Sequence, residues 1–208
     1  MSVLYPSVYR AHIVPKGYLR SFAIDGKIAV RKVGETTSDL KPVERAGTRP
    51  RFYRRTRPNG TKIDDIEWSL SHIEDKAAPI LRGLDDLWPL GDHGKSVLAE
   101  LFGYQLVRGP RWADWHEAYV RELLRESRQV LLEQGESVEE LEAHLLSDTY
   151  RMTRMLDLGL RLASVLGAMH WSLMEFPTPL LATSDHPVVV WPLDERGRGP
   201  RGSANEGS

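Results

Sequence analysis

The chain has 208 residues, 28 basic against 29 acidic side chains and no cysteine. A chain of this length buries roughly 70% of the surface its unfolded form exposes, enough to fold without a covalent staple. The missing cysteines exclude disulfides and thiolate-bound zinc or iron–sulfur centres, which leaves a reducing compartment as the natural setting.

Taken in chain order, the N-terminal third reads as mixed and loop-rich. Pro15 suits the first turn of a short helix, where its absent N–H costs nothing, and Tyr18, Leu19 and Phe22 then share one face. Residues 27–33, "KIAVRKV", follow the Asp25-Gly26 turn and carry the β-branched content of a strand. Between residues 45 and 62 lie seven basic side chains and no acid, whereas 129–150 holds six acids and neither lysine nor arginine.

The clearest helix opens at Asp64, where Asp64-x-x-Glu67 has capping-box spacing and Ile63 and Trp68 form a hydrophobic staple. Its apolar stripe is Ile66, Leu70, Ile73, Ala77, Ile80, Leu84 and Leu87, and Pro79 inside it predicts a kink or two consecutive helices. A second helix spans about 95–108 and stops before Gly109-Pro110. A third begins near Arg111 and is expected to turn Trp112, Trp115, Tyr119 and Leu123 inward. Ser137-x-x-Glu140 caps a short acidic helix through Leu146. The next, 148–169, is apolar nearly all round beyond Met155, which predicts burial. Short strands are expected at 180–183 and 188–191, flanking Ser184-Asp185-His186-Pro187, and disorder in the glycine-rich tail 193–208.

These elements predict a mainly helical α+β fold: a helical body packed on a small sheet from N- and C-terminal strands. The division is a single domain over 1–192, comprising mixed (1–62), helical (63–170) and strand (171–192) parts. No signal peptide is legible in the first twenty residues, and the longest uncharged run, 162–174, falls short of the ~20 residues a membrane span needs. Both point to a cytoplasmic protein with no membrane partner.

Several tempting motifs fail on spacing. "HEAYV" at His116 has valine at position 120 where a zincin helix needs a second histidine, and "GDHGKS" lacks the earlier glycine of a phosphate-binding loop. Others survive as candidates. Residues 49–57 interleave Arg49, Arg51, Arg54, Arg55 and Arg57 with Phe52 and Tyr53, cations for phosphates and rings for bases, set against a solvated loop docked on the acidic region. Glu67 and Glu74 project from one side of a helix. Gln105 and Arg108 share a direction at a helix end, suited to an anion or simply to the helix dipole. Asp185 sits in a tight turn, its neighbour His186 held extended by Pro187.

The ordered set "HIVPKGYLRSF", Phe52-Tyr53, "IEWSLSHIEDKAAPIL", "YQLVRGPR" and "TSDHPVV" resembles the bacterial proteins grouped as domain of unknown function 4238, over most of 11–192. The resemblance implies no activity. It marks His12, Pro15, Glu67, Glu74, Gln105, Arg108, Thr183, Ser184, Asp185 and Pro187, with departures at Ile13, where tyrosine is usual, and His186, where asparagine is usual. It also implies a chain shortened at its C-terminus, where further strands would follow.

Three functional readings emerge. The first is a metal-assisted hydrolase acting on a phosphodiester or other anionic substrate. In it His12, Glu74 and Asp185 serve as catalytic groups or ligands of a divalent metal, while Gln105, Arg108 and Ser184 orient the substrate. The second is a non-catalytic nucleic-acid-binding module using 49–57. The third is an interaction or regulatory protein without catalysis.

Overall fold

The structure, a computed structural model, describes residues 9–57, 59–176 and 182–189. It is a mainly helical α+β fold. Among these residues there are seven α-helices, one 3-10 turn (Arg20–Phe22) and six short strands, which pair into three separate two-stranded antiparallel sheets. Strand β1 (Arg10–His12) pairs with β4 (Thr48–Pro50), setting His12 opposite Thr48 and Ala11 opposite Arg49. Strand β2 (Lys27–Val30) pairs with β3 (Asp39–Pro42), and β5 (Arg55–Thr56) with β6 (Lys62–Ile63). All six strands come from the N-terminal third. The strands expected at 180–183 and 188–191 fall partly outside the described residues, and 182–189 contains no strand. The tail 193–208 also lies outside them.

Helix α1 (Lys16–Leu19) follows Pro15 as expected. Helix α2 (Asp65–Arg82) carries Pro79 inside it, and the break falls four residues later at Gly83, before the single turn α3 (Leu84–Leu87). The capping box at its start does not form. Asp64 instead takes Arg54 in a two-pronged ion pair (3.0 and 2.8 Å), and Glu67 accepts a long-range hydrogen bond. A guanidinium matches a carboxylate's two oxygens better than one backbone N–H does, so the local cap is outcompeted.

Helix α4 (Asp92–Val107) is the central element, with eight of its residues buried, and α7 (Asp148–Ala168) crosses it closely. The crossing depends on two glycines. A Cβ on Gly103 would lie 2.5 Å from the Gly159 carbonyl oxygen, and one on Gly159 would lie 2.5 Å from the Tyr104 ring. Helix α7 buries Met152, Met155 and Gly159 on that side, but Leu160 and Val165 stay about half exposed. The apolar circumference expected to be buried all round therefore has an open face.

A larger correction concerns α5 (Pro110–Glu133). Its inward face is His116, Val120 and Leu124, which leaves Trp115, Tyr119 and Leu123 in solvent. Trp112 packs against the core as expected, but the row beyond it is shifted by one residue, and His116 of the inward row meets the Leu145 carbonyl at the end of α6 (Val138–Leu145) at 3.3 Å. Ser137 caps α6 as expected, accepting the Glu140 N–H at 3.2 Å; Ser147 does the same for α7 at Tyr150. None of the described helices is long and apolar enough to cross a membrane.

Candidate functional site

The polar centre of the molecule is built around Arg108, at the C-terminal end of α4. The side chain is 1% exposed and all three guanidinium nitrogens are engaged. Nη1 donates to Glu74 Oε1 (2.6 Å), Nε to the Tyr53 hydroxyl (3.2 Å) and Nη2 to the His12 carbonyl. Tyr53 OH in turn donates to the Arg108 carbonyl (2.9 Å). One turn earlier, Gln105 Nε2 donates to the Ile13 carbonyl (2.9 Å), and the His12 N–H donates to Glu67 Oε1 (3.3 Å). Residues 12, 53, 67, 74, 105 and 108 are thus one network, drawn from β1, the loop after β4, two turns of α2 and the end of α4.

The network accounts for the spacing of its members. Glu67 and Glu74 are two helical turns apart and face the same side of α2, so Glu67 reaches the His12 N–H while Glu74 reaches Arg108. Gln105 and Arg108 are one turn apart and grip the carbonyls of Ile13 and His12 from α4. Their task is to lock the first strand onto the helical body. Each nitrogen of the buried Arg108 guanidinium already makes one contact within the fold, whereas Gln105 keeps its Oε1 unpartnered.

Burial perturbs the titrating groups. Burial pushes the Glu67 carboxyl up to about 7, against the pull of Arg108 and the His12 N–H. The His12 imidazole is lowered by burial, opposed by Glu74 and by a hydrogen bond with the Val43 carbonyl. Burial raises the Tyr53 hydroxyl to about 12. Near neutral pH, then, His12 favours its uncharged form and Glu67 exchanges its proton.

Three atoms of this network are buried without a hydrogen-bond partner among the described residues: His12 Nε2, Glu67 Oε2 and Gln105 Oε1. With the Val43 contact taken by Nδ1, the free Nε2 of His12 is an acceptor, as is Gln105 Oε1, and Glu67 Oε2 accepts when the carboxyl is ionised. Bare buried acceptors are costly and uncommon.

The C-terminal segment joins the same region. Thr183 Oγ1 donates to the Tyr18 hydroxyl at 3.1 Å, and the His186 ring lies over Gly109, the residue after Arg108. A Cβ at Gly109 would sit 3.3 Å from His186 Nε2, so a larger residue there would press on the imidazole. Asp185 Oδ1 is 3.2 Å from His186 Nδ1, and His186 Nε2 is likewise buried and unpartnered. Ser184 Oγ accepts the His186 N–H (3.1 Å), a local turn contact. Residue 12 and residues 183–186 thus approach from opposite ends of the sequence.

The expected metal set does not assemble. Among the described residues no group of three or more histidine, aspartate or glutamate side chains is arranged to hold a metal ion, so His12, Glu74 and Asp185 are not a ligand triad. Glu74 is committed to Arg108, and Asp185, mostly exposed, to the adjacent imidazole. Glu67, given to the helix cap, and His186, read as a departure from a usual asparagine, are the residues that sequence reasoning undervalued. Both have one visible signal, an ionisable side chain beside a residue already singled out.

The basic stretch is also largely absorbed. Arg54 and Arg55 pair with Asp64 and Asp65 at the start of α2, not with the acidic region 129–150. Tyr53 is 1% exposed, and the Arg151 guanidinium lies 5.3 Å from the centre of the Phe52 ring, so neither ring is offered as a stacking platform. Arg49 and Arg51 remain exposed beside β1. Arg51 takes a left-handed φ of 50°, unusual for a long side chain, with its guanidinium over Tyr9.

Fold and site together define a mainly helical α+β protein with a buried histidine–glutamate–arginine network where residue 12 and residues 183–186 approach the end of α4. The chain belongs to the family described as protein of unknown function (DUF4238), whose model matches residues 10–206. That match runs into the glycine-rich tail, so the C-terminal shortening implied by the resemblance is not borne out. Searches of curated proteins and of solved structures give no match.

Proposed function

We propose that the protein is a hydrolase acting on an anionic ester of the phosphodiester class, with His12 and Glu67 holding the attacking water. The observation that carries this reading is the set of bare acceptors at His12 Nε2, Glu67 Oε2 and Gln105 Oε1 inside an otherwise satisfied network. A water molecule offers two O–H donors, so acceptors of this kind fix it with its lone pair free to attack. His12, kept neutral by burial, is the base that receives the proton.

The second proton comes from His186, whose Nδ1 is oriented by Asp185. As the water oxygen bonds to phosphorus, one water proton passes to His12 Nε2. The bond to the leaving oxygen breaks, and that oxygen takes the proton of His186 Nε2. Exchange with solvent then resets both rings. Arg49, directly across from Ala11 on the neighbouring strand, and Arg51 supply exposed positive charge beside the strand that carries His12. His12 Nε2 and His186 Nε2 are both buried, so substrate binding requires the structure around them to open.

The test compares two diesters, one with a 4-nitrophenolate leaving group and one with an alkoxide, in chelator and with added magnesium. His12→Ala is expected to slow both by roughly 10²–10⁴-fold, the usual worth of a general base. His186→Asn is expected to slow only the alkoxide substrate, since nitrophenolate leaves without a proton. Turnover of neither diester by the intact chain, or an unchanged rate in His12→Ala, refutes the reading.

A further inference from the structure

We propose that the exposed face of α5 is the contact surface of a homodimer, in which the helix packs antiparallel on α5 of a second copy. Trp115, Tyr119 and Leu123 recur every four residues along the helix and are 56%, 52% and 42% exposed. The Trp115 and Tyr119 rings stack, with centroids 5.3 Å apart and planes within 11°. Helix α5 already buries its 116–120–124 row against the fold, so this second row is apolar surface beyond what the chain itself covers. A large contiguous patch of this kind marks an interaction surface, and tryptophan and tyrosine are the side chains most enriched at the energetic centres of interfaces.

The occupant is read from the charge pattern. Arg111, at the N-terminal end of the row, makes no ion pair among the described residues. Glu126, toward the other end, is 3.9 Å from Arg125, which is already bound to Glu122 at 2.6 Å. An antiparallel pair centred on Tyr119 places Trp115 against Leu123 of the second copy and brings its Glu126 over the first turn of the helix. Each Arg111 then lies beside the other copy's Glu126, twice by symmetry, as an isologous interface requires. The opposed helix dipoles add to the same preference. The three apolar side chains expose on the order of 300 Å² per copy, and Val130 with the flanking charged stems brings this to roughly 600 Å², the small end of specific interfaces. The dimer is therefore concentration-dependent.

Sedimentation equilibrium from about 1 µM to about 1 mM spans the affinities such an area supports. The mass is expected to rise from 23.6 kDa toward twice that value. Tyr119→Lys and Arg111→Glu are expected to hold it at the monomer, and Arg111→Glu combined with Glu126→Arg to restore the dimer. Because the chain has no cysteine, Tyr119→Cys provides a single reporter on the two-fold axis, expected to oxidise to a covalent dimer. A monomer at every concentration, a dimer indifferent to Tyr119→Lys, or a charge swap that fails to rescue overturns the proposal.

Discussion

Glu67→Gln separates the cost of the buried carboxyl from its geometry. The amide keeps an oxygen to accept the His12 N–H but cannot ionise. Burial lifts the folded carboxyl from 4.5 to about 7, so between these values the unfolded chain is ionised while the folded one holds its proton. The folded state then binds more protons than the unfolded state, and stability falls as pH rises through this window. Below it the carboxyl is neutral in both states and contributes nothing. Above it the full penalty applies, about 3 kcal/mol from the size of the displacement. Glu67→Gln removes that slope. His12, lowered by burial, contributes the opposite slope below its usual value, but it is present in both proteins and cancels in the comparison. Urea unfolding at pH about 4 and about 8.5 is the assay, read as the difference between variant and parent at each pH. The variant is expected to gain about 2–3 kcal/mol relative to the parent between the two conditions, whatever the packing cost of the amide. Parallel profiles would show that Glu67 ionises freely in the fold and refute the desolvation argument.

Arg108→Met is expected to cost about 3–5 kcal/mol, because it strands the Glu74 carboxylate and the His12 carbonyl without their shared donor. Urea unfolding of Arg108→Met with and without Glu74→Gln checks this, since removing the stranded charge should recover part of the loss. Gly103→Ala is expected to cost about 1–3 kcal/mol by pushing α4 off α7, whereas Gly167→Ala, which meets only the Ala99 methyl at 3.9 Å, should gain about 0.5–1 kcal/mol. Thermal melts of the two variants distinguish a crossing that depends on Gly103 from a general tolerance of alanine in these helices.

The helical body was legible because its signals are local. Periodicity placed the elements that became α2, α4, α5, α6 and α7, the Ser137 cap formed as written, and Gly109-Pro110 marked the junction between two helices. Local patterns failed where two faces of one helix were equally apolar. Rows 115–119–123 and 116–120–124 of α5 differ by one residue, and only the tertiary packing against one of them decides which is buried. The capping box failed for a related reason: Asp64 and Glu67 had better partners, in Arg54 and in the His12 N–H, than the helix end they precede. The residue types at the centre were likewise readable in sequence. Their pairing was not, because spacing within a helix shows which side chains share a face and says nothing of what that face meets. Tertiary structure alone joined Glu74 to Arg108, absorbed both into a lock on the first strand, and left His12, Glu67 and Gln105 with unfilled acceptors. Desolvation, which converts an ordinary carboxyl into one titrating near 7, exists only once the chain has closed around it.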